Sequence, residues 1–207
     1  MCGRYYIEPD VDDIRFREAL DALNRRALSD PVKTRGEVYP TDRVPVMALS
    51  RKLRPSAFAM TWGYALRDGR RVINARSESA SVSPLFRDGF ARHRCVVPAS
   101  RYFEWKRDGA RPVKYAIAPA GQSALYMAGV YTLRDGLPEF AILTRSASDS
   151  VSFIHDRMPV IFSSSAADRW LDPDADPASV LVSALGEMNC EPVEPLQLGI
   201  DDMGGPA

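Results

Sequence analysis

Once the initiator methionine is removed, Cys2 becomes an N-terminal residue carrying two nucleophiles on one carbon skeleton. The α-amine has a pKa near ~8 and the thiol near ~8.5, so both keep reactive fractions at neutral pH. The amine condenses with an aldehyde to an imine, and the thiol then closes on the imine carbon as a thiazolidine. Ring closure is intramolecular, and effective molarities reach on the order of 10⁵–10⁸ M in well-oriented cases. The plainer alternative is a cysteine that merely follows Met1.

Three further residues have types suited to such chemistry. Asn74 and Arg76 sit two apart in Ile73-Asn74-Ala75-Arg76-Ser77-Glu78, so a strand there turns both to one face. An amide beside a guanidinium can hold a sugar oxygen and its neighbouring phosphate, and Glu78 is placed to orient Arg76. Glu104, in Tyr102-Phe103-Glu104-Trp105, has aromatic neighbours whose desolvation would favour a carboxyl poised to move protons. His155 precedes Asp156-Arg157-Met158-Pro159, and its unperturbed pKa near ~6.5 suits an acid or base. Trp62 and Trp105 lie beside basic segments, where stacking a base on such a ring contributes about 1–3 kcal/mol. Each has an ordinary alternative: an edge-strand face for Asn74 and Arg76, an ion pair with Lys106 or Arg101 for Glu104, a structural histidine, and core tryptophans.

These side chains need a scaffold. The spacing of Phe16, Leu20, Leu23 and Ala27 predicts a helix over 10–29, capped by Asp10 or Asp12 and stopped by Pro31. Beyond it, runs rich in β-branched and aromatic residues predict strands at 44–49, 57–64, 71–76, 94–98, 102–106, 113–118, 125–133, 140–145 and 159–162. Asp68-Gly69, Asp108-Gly109 and Asp135-Gly136 read as hairpin turns between them. Residues 166–171 and 178–185 read as short helices, and 201–207 as a fraying tail. The pattern is that of a mainly antiparallel β protein of the α+β class with a few peripheral helices.

With 207 residues the chain suits one domain able to bury roughly 70% of its unfolded surface. No apolar run approaches a membrane span, and the N-terminus turns charged too early for a secretory signal, so no membrane partner is expected. Cys2, Cys95 and Cys190 form no CxxC pair, and His93 with Cys95 is the one close pair of metal-type ligands. Reduced thiols are expected, with neither a metal nor an organic cofactor. Basic and acidic residues balance at 27 each, which argues against a nucleic-acid partner until their distribution is read. Residues 51–114 carry 15 basic and 5 acidic side chains, net +10, while 115–207 carry 4 and 13, net −9. Of the 27 basic residues 23 are arginine, which forks onto phosphate. The alternative is that the two segments pair with each other across the fold.

Taken in order, the pieces resemble a known family. Cys2-Gly3-Arg4-Tyr5, Tyr39-Pro40-Thr41, Trp62-Gly63, Asn74-Ala75-Arg76-x-Glu78, Arg94-Cys95-Val96-Val97-Pro98 running into Phe103-Glu104-Trp105, and His155-Asp156-Arg157-Met158-Pro159 resemble the SOS-response-associated peptidase (SRAP) family. The likeness runs from residue 2 to about residue 162 and implies a single domain over 1–200 whose curled, barrel-like sheet surrounds a groove for single-stranded DNA. It implies a cytoplasmic, nucleoid-associated protein of the DNA damage response, expected as a monomer, that cross-links to abasic sites through its N-terminal cysteine. It further implies an inferred peptidase activity that removes the residue before that cysteine; weak abasic-site lyase activity would follow from the same imine. The nucleophile maps onto Cys2 and the polar site residues onto Asn74, Glu104 and His155. DNA contacts map onto Arg4, Pro40, Trp62, Arg76, Trp105 and Arg157. Ser100-Arg101 departs from a glycine and an aromatic common in the family at that point. The same groups would also suit an N-terminal-nucleophile amidohydrolase, and the basic segment a non-covalent single-stranded DNA-binding module.

Overall fold

The computed structural model describes residues 2–8, 13–25, 31–107 and 111–193. The expected caps Asp10 and Asp12, the helical position Ala27, the Asp108-Gly109 turn and the 201–207 tail lie outside them.

Fifteen strands and six helices occur among the described residues. In chain order they are β1 Arg4–Ile7, α1 Ile14–Asn24, β2 Gly36–Val38, β3 Arg43–Leu49, β4 Pro55–Trp62, β5 Tyr64–Ala65, β6 Arg71–Val72 and β7 Asn74–Arg76. The short helices α2 Ser77–Ala80 and α3 Arg87–Arg92 follow, then β8 Arg94–Ala99, β9 Arg101–Lys106, β10 Val113–Pro119, β11 Leu125–Arg134 and β12 Leu137–Ser146. The chain continues through α4 Asp149–Ser152, β13 Arg157–Pro159, β14 Ile161–Phe162, α5 Ser164–Leu171, α6 Pro177–Val182 and β15 Met188–Pro192.

Strands β12, β4, β3, β8 and β11 pair in that order, and β11 pairs back onto β12, closing a five-stranded barrel. Closure removes the free edges a flat sheet would expose. The expected antiparallel character holds except at β12, which runs parallel to β4 and to β7. A second, antiparallel sheet has the order β15-β10-β9-β1-β2. Ser100 alone separates β8 of the barrel from β9 of this sheet. Its backbone N–H donates to Tyr6 O at 2.8 Å, and its hydroxyl accepts from Glu8 N at 2.9 Å. That corner carries the chain out of the barrel wall and sets the position of Glu104.

Three predicted strands are each broken in two, 159–162 among them at Val160 between β13 and β14. Gly63 ends β4 with φ +108, and a Cβ there would meet Ile73 and Arg71 side-chain carbons at 3.1 and 3.2 Å. The 71–76 run divides at Ile73, whose carbonyl accepts the Trp62 indole N–H at 3.0 Å. At the β11–β12 turn, Asp135 and Gly136 both have positive φ, 51° and 81°, as a two-residue hairpin loop demands. β1, β2 and β15 were not expected. β2 has three residues including a glycine, whereas β15 alternates Met188 and Cys190 with exposed Asn189 and Glu191, a signal the sequence contained.

Candidate active site

Cys2 enters the core just ahead of β1 and is fully buried. Its carbonyl accepts a hydrogen bond from Asn74 Nδ2 at 2.8 Å, and its thiol donates to Arg4 O at 3.6 Å. Asn74 can reach it because β7 is held against β12, with Asn74 in register with Ile142. As expected for that strand, Ala75 is buried while Asn74 and Arg76 turn outward together, Asn74 half-buried and Arg76 exposed.

Glu104 lies on β9 with only 5% of its surface exposed. Burial first, and then the negative charge of Glu104, push the Cys2 thiol up to about 12. At neutral pH the sulfur of this chain is therefore protonated. Tyr5 and Tyr102 face each other across the β1–β9 ladder, both fully buried. Their hydroxyls have no hydrogen-bond partner among the described residues. Burial and the neighbouring Cys2 raise both phenols far above their ordinary range, so they remain neutral donors. The alternation that turns Glu104 inward also turns Tyr102 inward, a signal the sequence contained.

A cleft of ≈ 660 Å³ is lined by Glu104, Trp105, Lys106, Arg107, Pro112, Phe153, Ile154 and His155, bringing the carboxylate and the imidazole into one space. Arg157 N donates to His155 Nδ1 at 3.0 Å, and an Asp156 carboxylate oxygen lies 2.7 Å from the same nitrogen. A neutral ring accepting at Nδ1 carries its proton on Nε2, and a protonated ring paired with Asp156 carries one there too. In both of these states Nε2 is a donor, whereas a neutral ring donating Nδ1–H to Asp156 leaves Nε2 an acceptor.

Three expectations about this region are corrected. Glu78 does not orient Arg76: its carboxylate receives a bidentate pair from Arg157 at 2.7 and 2.9 Å. Those bonds, outweighing partial burial, hold the Glu78 carboxyl down at about 2. Arg157 also donates to Thr144 O at 2.6 Å, and only 13% of its side chain is exposed. With both terminal nitrogens engaged, it clamps α2 to β13 rather than presenting a free fork to phosphate. Trp62 is likewise no surface platform. It is fully buried, stacked on Phe140 at 6.4 Å and tilted against Tyr5 at 5.2 Å, so no face of its ring is open to a base.

The other expected contacts lie at the surface. Arg4 stands with its guanidinium 3.9 Å over the Tyr39 ring and 5.6 Å from that of Trp105. Pro40 is half-buried between exposed Tyr39 and Thr41, and Trp105 is half-buried at the cleft. Arg101, the departure noted in the sequence, pairs with Glu8 at 2.7 Å and lies over Tyr6, away from the cleft lining. Sequence reasoning missed Glu37 and Lys114: Glu37 bridges to Arg4 and to Lys114 on the second sheet. No local pattern marked them, because strand pairing alone brings them to Arg4.

Among the described residues no helix is long and apolar enough to cross a membrane. The chain is 27% identical over 215 residues to the abasic site processing protein YoqW of Bacillus subtilis, covering 96% of this chain and 92% of that one. It is 30% identical to the abasic site processing protein YedK of Escherichia coli, over 83% of this chain and 79% of the relative. Similarity extends to the abasic site processing protein HMCES of Xenopus tropicalis, 31% identical over 83% of this chain and 66% of that protein. The fold matches a solved structure from Bacteroides thetaiotaomicron with a TM-score of 0.74 at 20% identity, covering 93% and 92% of the two chains. A phage-related protein from Bordetella bronchiseptica matches at 0.71 and 27% identity, covering 94% and 95%. The model of the SOS response associated peptidase family matches residues 1–196, which establishes that the chain belongs to that family.

Proposed function

We propose that this protein binds single-stranded DNA and joins covalently to abasic sites through Cys2. The observation that carries the reading is the 2.8 Å bond from Asn74 to the Cys2 carbonyl, which anchors the chain's first reactive residue beside buried Glu104. The relatives named as abasic site processing proteins support it.

Removal of Met1, by the chain's own activity, hydrolyses the Met1–Cys2 amide with one water and frees the α-amine. The amine attacks C1 of the ring-opened deoxyribose. A C–N bond forms, the carbinolamine loses water, and an imine remains. The thiol then adds across the C=N bond, its sulfur bonding to carbon and its proton passing to nitrogen. A thiol protonated at neutral pH suits this last step, because addition needs both the sulfur and its proton. Glu104 accepts the proton that the attacking amine sheds. His155 donates toward the sugar ring oxygen, exposing the aldehyde, and Asn74 holds Cys2 in place. β-Elimination of the 3′ phosphate from the same imine gives weak lyase activity as a side reaction.

Incubation with an oligonucleotide carrying one abasic site tests the proposal. The expected result is a denaturant-resistant shifted band whose mass is the sum of the partners less one water. A band that survives Cys2→Ala, or no band from protein verified to lack Met1, sinks it. Turnover of a peptide in trans favours the amidohydrolase, and salt-sensitive binding without chemistry favours the binding module.

A further inference from the structure

The outward face of the second sheet carries a charge arrangement that the cross-linking chemistry does not use. Register puts Arg4 opposite Phe103 on β1 and β9, and Lys114 opposite Trp105 on β10 and β9, so these four share a face. Lys114 Nζ lies 3.8 Å from the Phe103 ring centroid and 5.7 Å from that of Trp105. Arg4 lies over Tyr39 and Trp105. Both cations converge on one oxygen: Glu37 Oε1 is 3.1 Å from Arg4 Nη1 and 2.9 Å from Lys114 Nζ. A single anionic oxygen shared by an arginine and a lysine over aromatic rings is the arrangement in which such a pair would hold a phosphate. Trp105 also lines the cleft containing Glu104 and His155, so the shelf and the cleft are continuous.

We infer that Arg4 and Lys114 form a phosphate subsite for a single DNA strand leading into the cleft of Glu104 and His155, and that Glu37 is a tethered competitor for that phosphate. The inference rests on the single-stranded DNA reading above and adds a contact, Lys114, and a regulator of affinity, Glu37. A phosphate entering the subsite must displace the carboxylate or share its cations, so every undamaged strand binds less tightly than the two cations would allow. An abasic strand meets the same penalty at encounter, but the covalent bond at Cys2 then retains it. Glu37 thus favours damaged over undamaged DNA.

The test is anisotropy of a labelled, unmodified oligothymidylate with the wild-type chain, Glu37→Gln and Lys114→Gln across a series of salt concentrations. Glu37→Gln is expected to bind at least about fivefold tighter at low salt, with the log–log slope steeper by about 0.7, one added phosphate. Lys114→Gln, which leaves every backbone ladder intact, is expected to bind more weakly with a slope shallower by about 0.7. Unchanged or weaker binding by Glu37→Gln, wild-type binding by Lys114→Gln, or no binding by any of the three overturns the inference. Abasic cross-linking in the same samples separates the two readings. A wild-type chain that shows these shifts but never cross-links keeps the subsite and loses the proposed function; cross-linking without the shifts does the reverse.

Discussion

At the scale of single residues, the chemistry turns on how burial treats three thiols. Cys2 and Cys95 are fully buried, and burial raises both thiols; Cys190 is half-buried and raised less. With the Cys2 thiol at about 12, only about one molecule in 10⁵ carries a thiolate there at pH 7. In protein retaining Met1, iodoacetamide at pH 7 is therefore expected to label Cys190 first, with Cys2 and Cys95 far behind. Peptide mass mapping reads the order, and early labelling of Cys2 would contradict the burial described. Because the folded value exceeds the ordinary 9.0, Cys2 adds stability that is complete below pH 9 and lost as pH rises toward 12. The roles proposed for Cys2, Asn74, Glu104 and His155 were read from short, ordered motifs in which each stands. The burial of Trp62 and the partner of Arg157 were not, since both depend on residues brought in from distant segments: Phe140 stacks the first and Glu78 pairs the second.

At the scale of elements, two devices hold the site's parts in register. The first is the Glu78–Arg157 clamp between α2 and β13, flanked by Asn74 on β7 and by His155. Glu78 is half-exposed, so solvent screens the pair and its contribution to stability is modest. Its sign is still fixed. A carboxyl held at about 2 against an ordinary 4.5 contributes above pH 4.5, and that contribution fades as pH falls from 4.5 toward 2. Glu78→Gln is expected to flatten this part of the acid-unfolding profile and to slow cross-linking at neutral pH; an unaltered acid profile would show that the pair contributes nothing. The second device is Gly129 on β11, opposite Cys95 of β8 and Ile142 of β12. A Cβ there would lie 2.9 Å from Cys95 Sγ and 3.1 Å from the Ala141 carbonyl, with backbone on one side unable to give way. Gly129→Ala is expected to cost about 1–3 kcal/mol, read by denaturant unfolding. Most strands were visible as β-branched runs between turn residues, and the Asp135-Gly136 hairpin by its dipeptide. Barrel closure came only from the family resemblance and not from the strand pattern, because the parallel pairing of β12 with β4 joins strands more than seventy residues apart.

At the scale of the whole molecule, zero net charge hides a basic middle and an acidic C-terminal third. The structure shows how much of that middle is already committed. Arg71 pairs with Glu139, Arg70 with Asp68, Arg92 with Asp88 and Arg101 with Glu8. Arg94 is buried and donates to Trp170 O at 2.7 Å and Asp172 O at 2.5 Å, carbonyls at the C-terminal end of α5, where a cation is favoured. Both original readings of the charge pattern thus apply to different residues: one set pairs within the fold, and another remains at the surface. The second set includes exposed Arg76 and, at the cleft, exposed Arg107, while Arg4 and Lys114 stay partly exposed although both pair with Glu37. Some three to five phosphates neutralised at about 0.7 each give a log–log salt slope for single-stranded DNA between about −2 and −4. A slope near −7 would mean that the whole +10 of the middle segment engages DNA, and a flat plot would mean that none does. Salt acts on the encounter and not on bond formation between Cys2 and the sugar. The cross-linking rate at limiting DNA should therefore fall along the same slope, while the maximal rate at saturating DNA stays constant. A maximal rate that falls with salt as steeply as the affinity would place an ion-sensitive step inside the covalent chemistry and contradict a site whose reacting groups are buried.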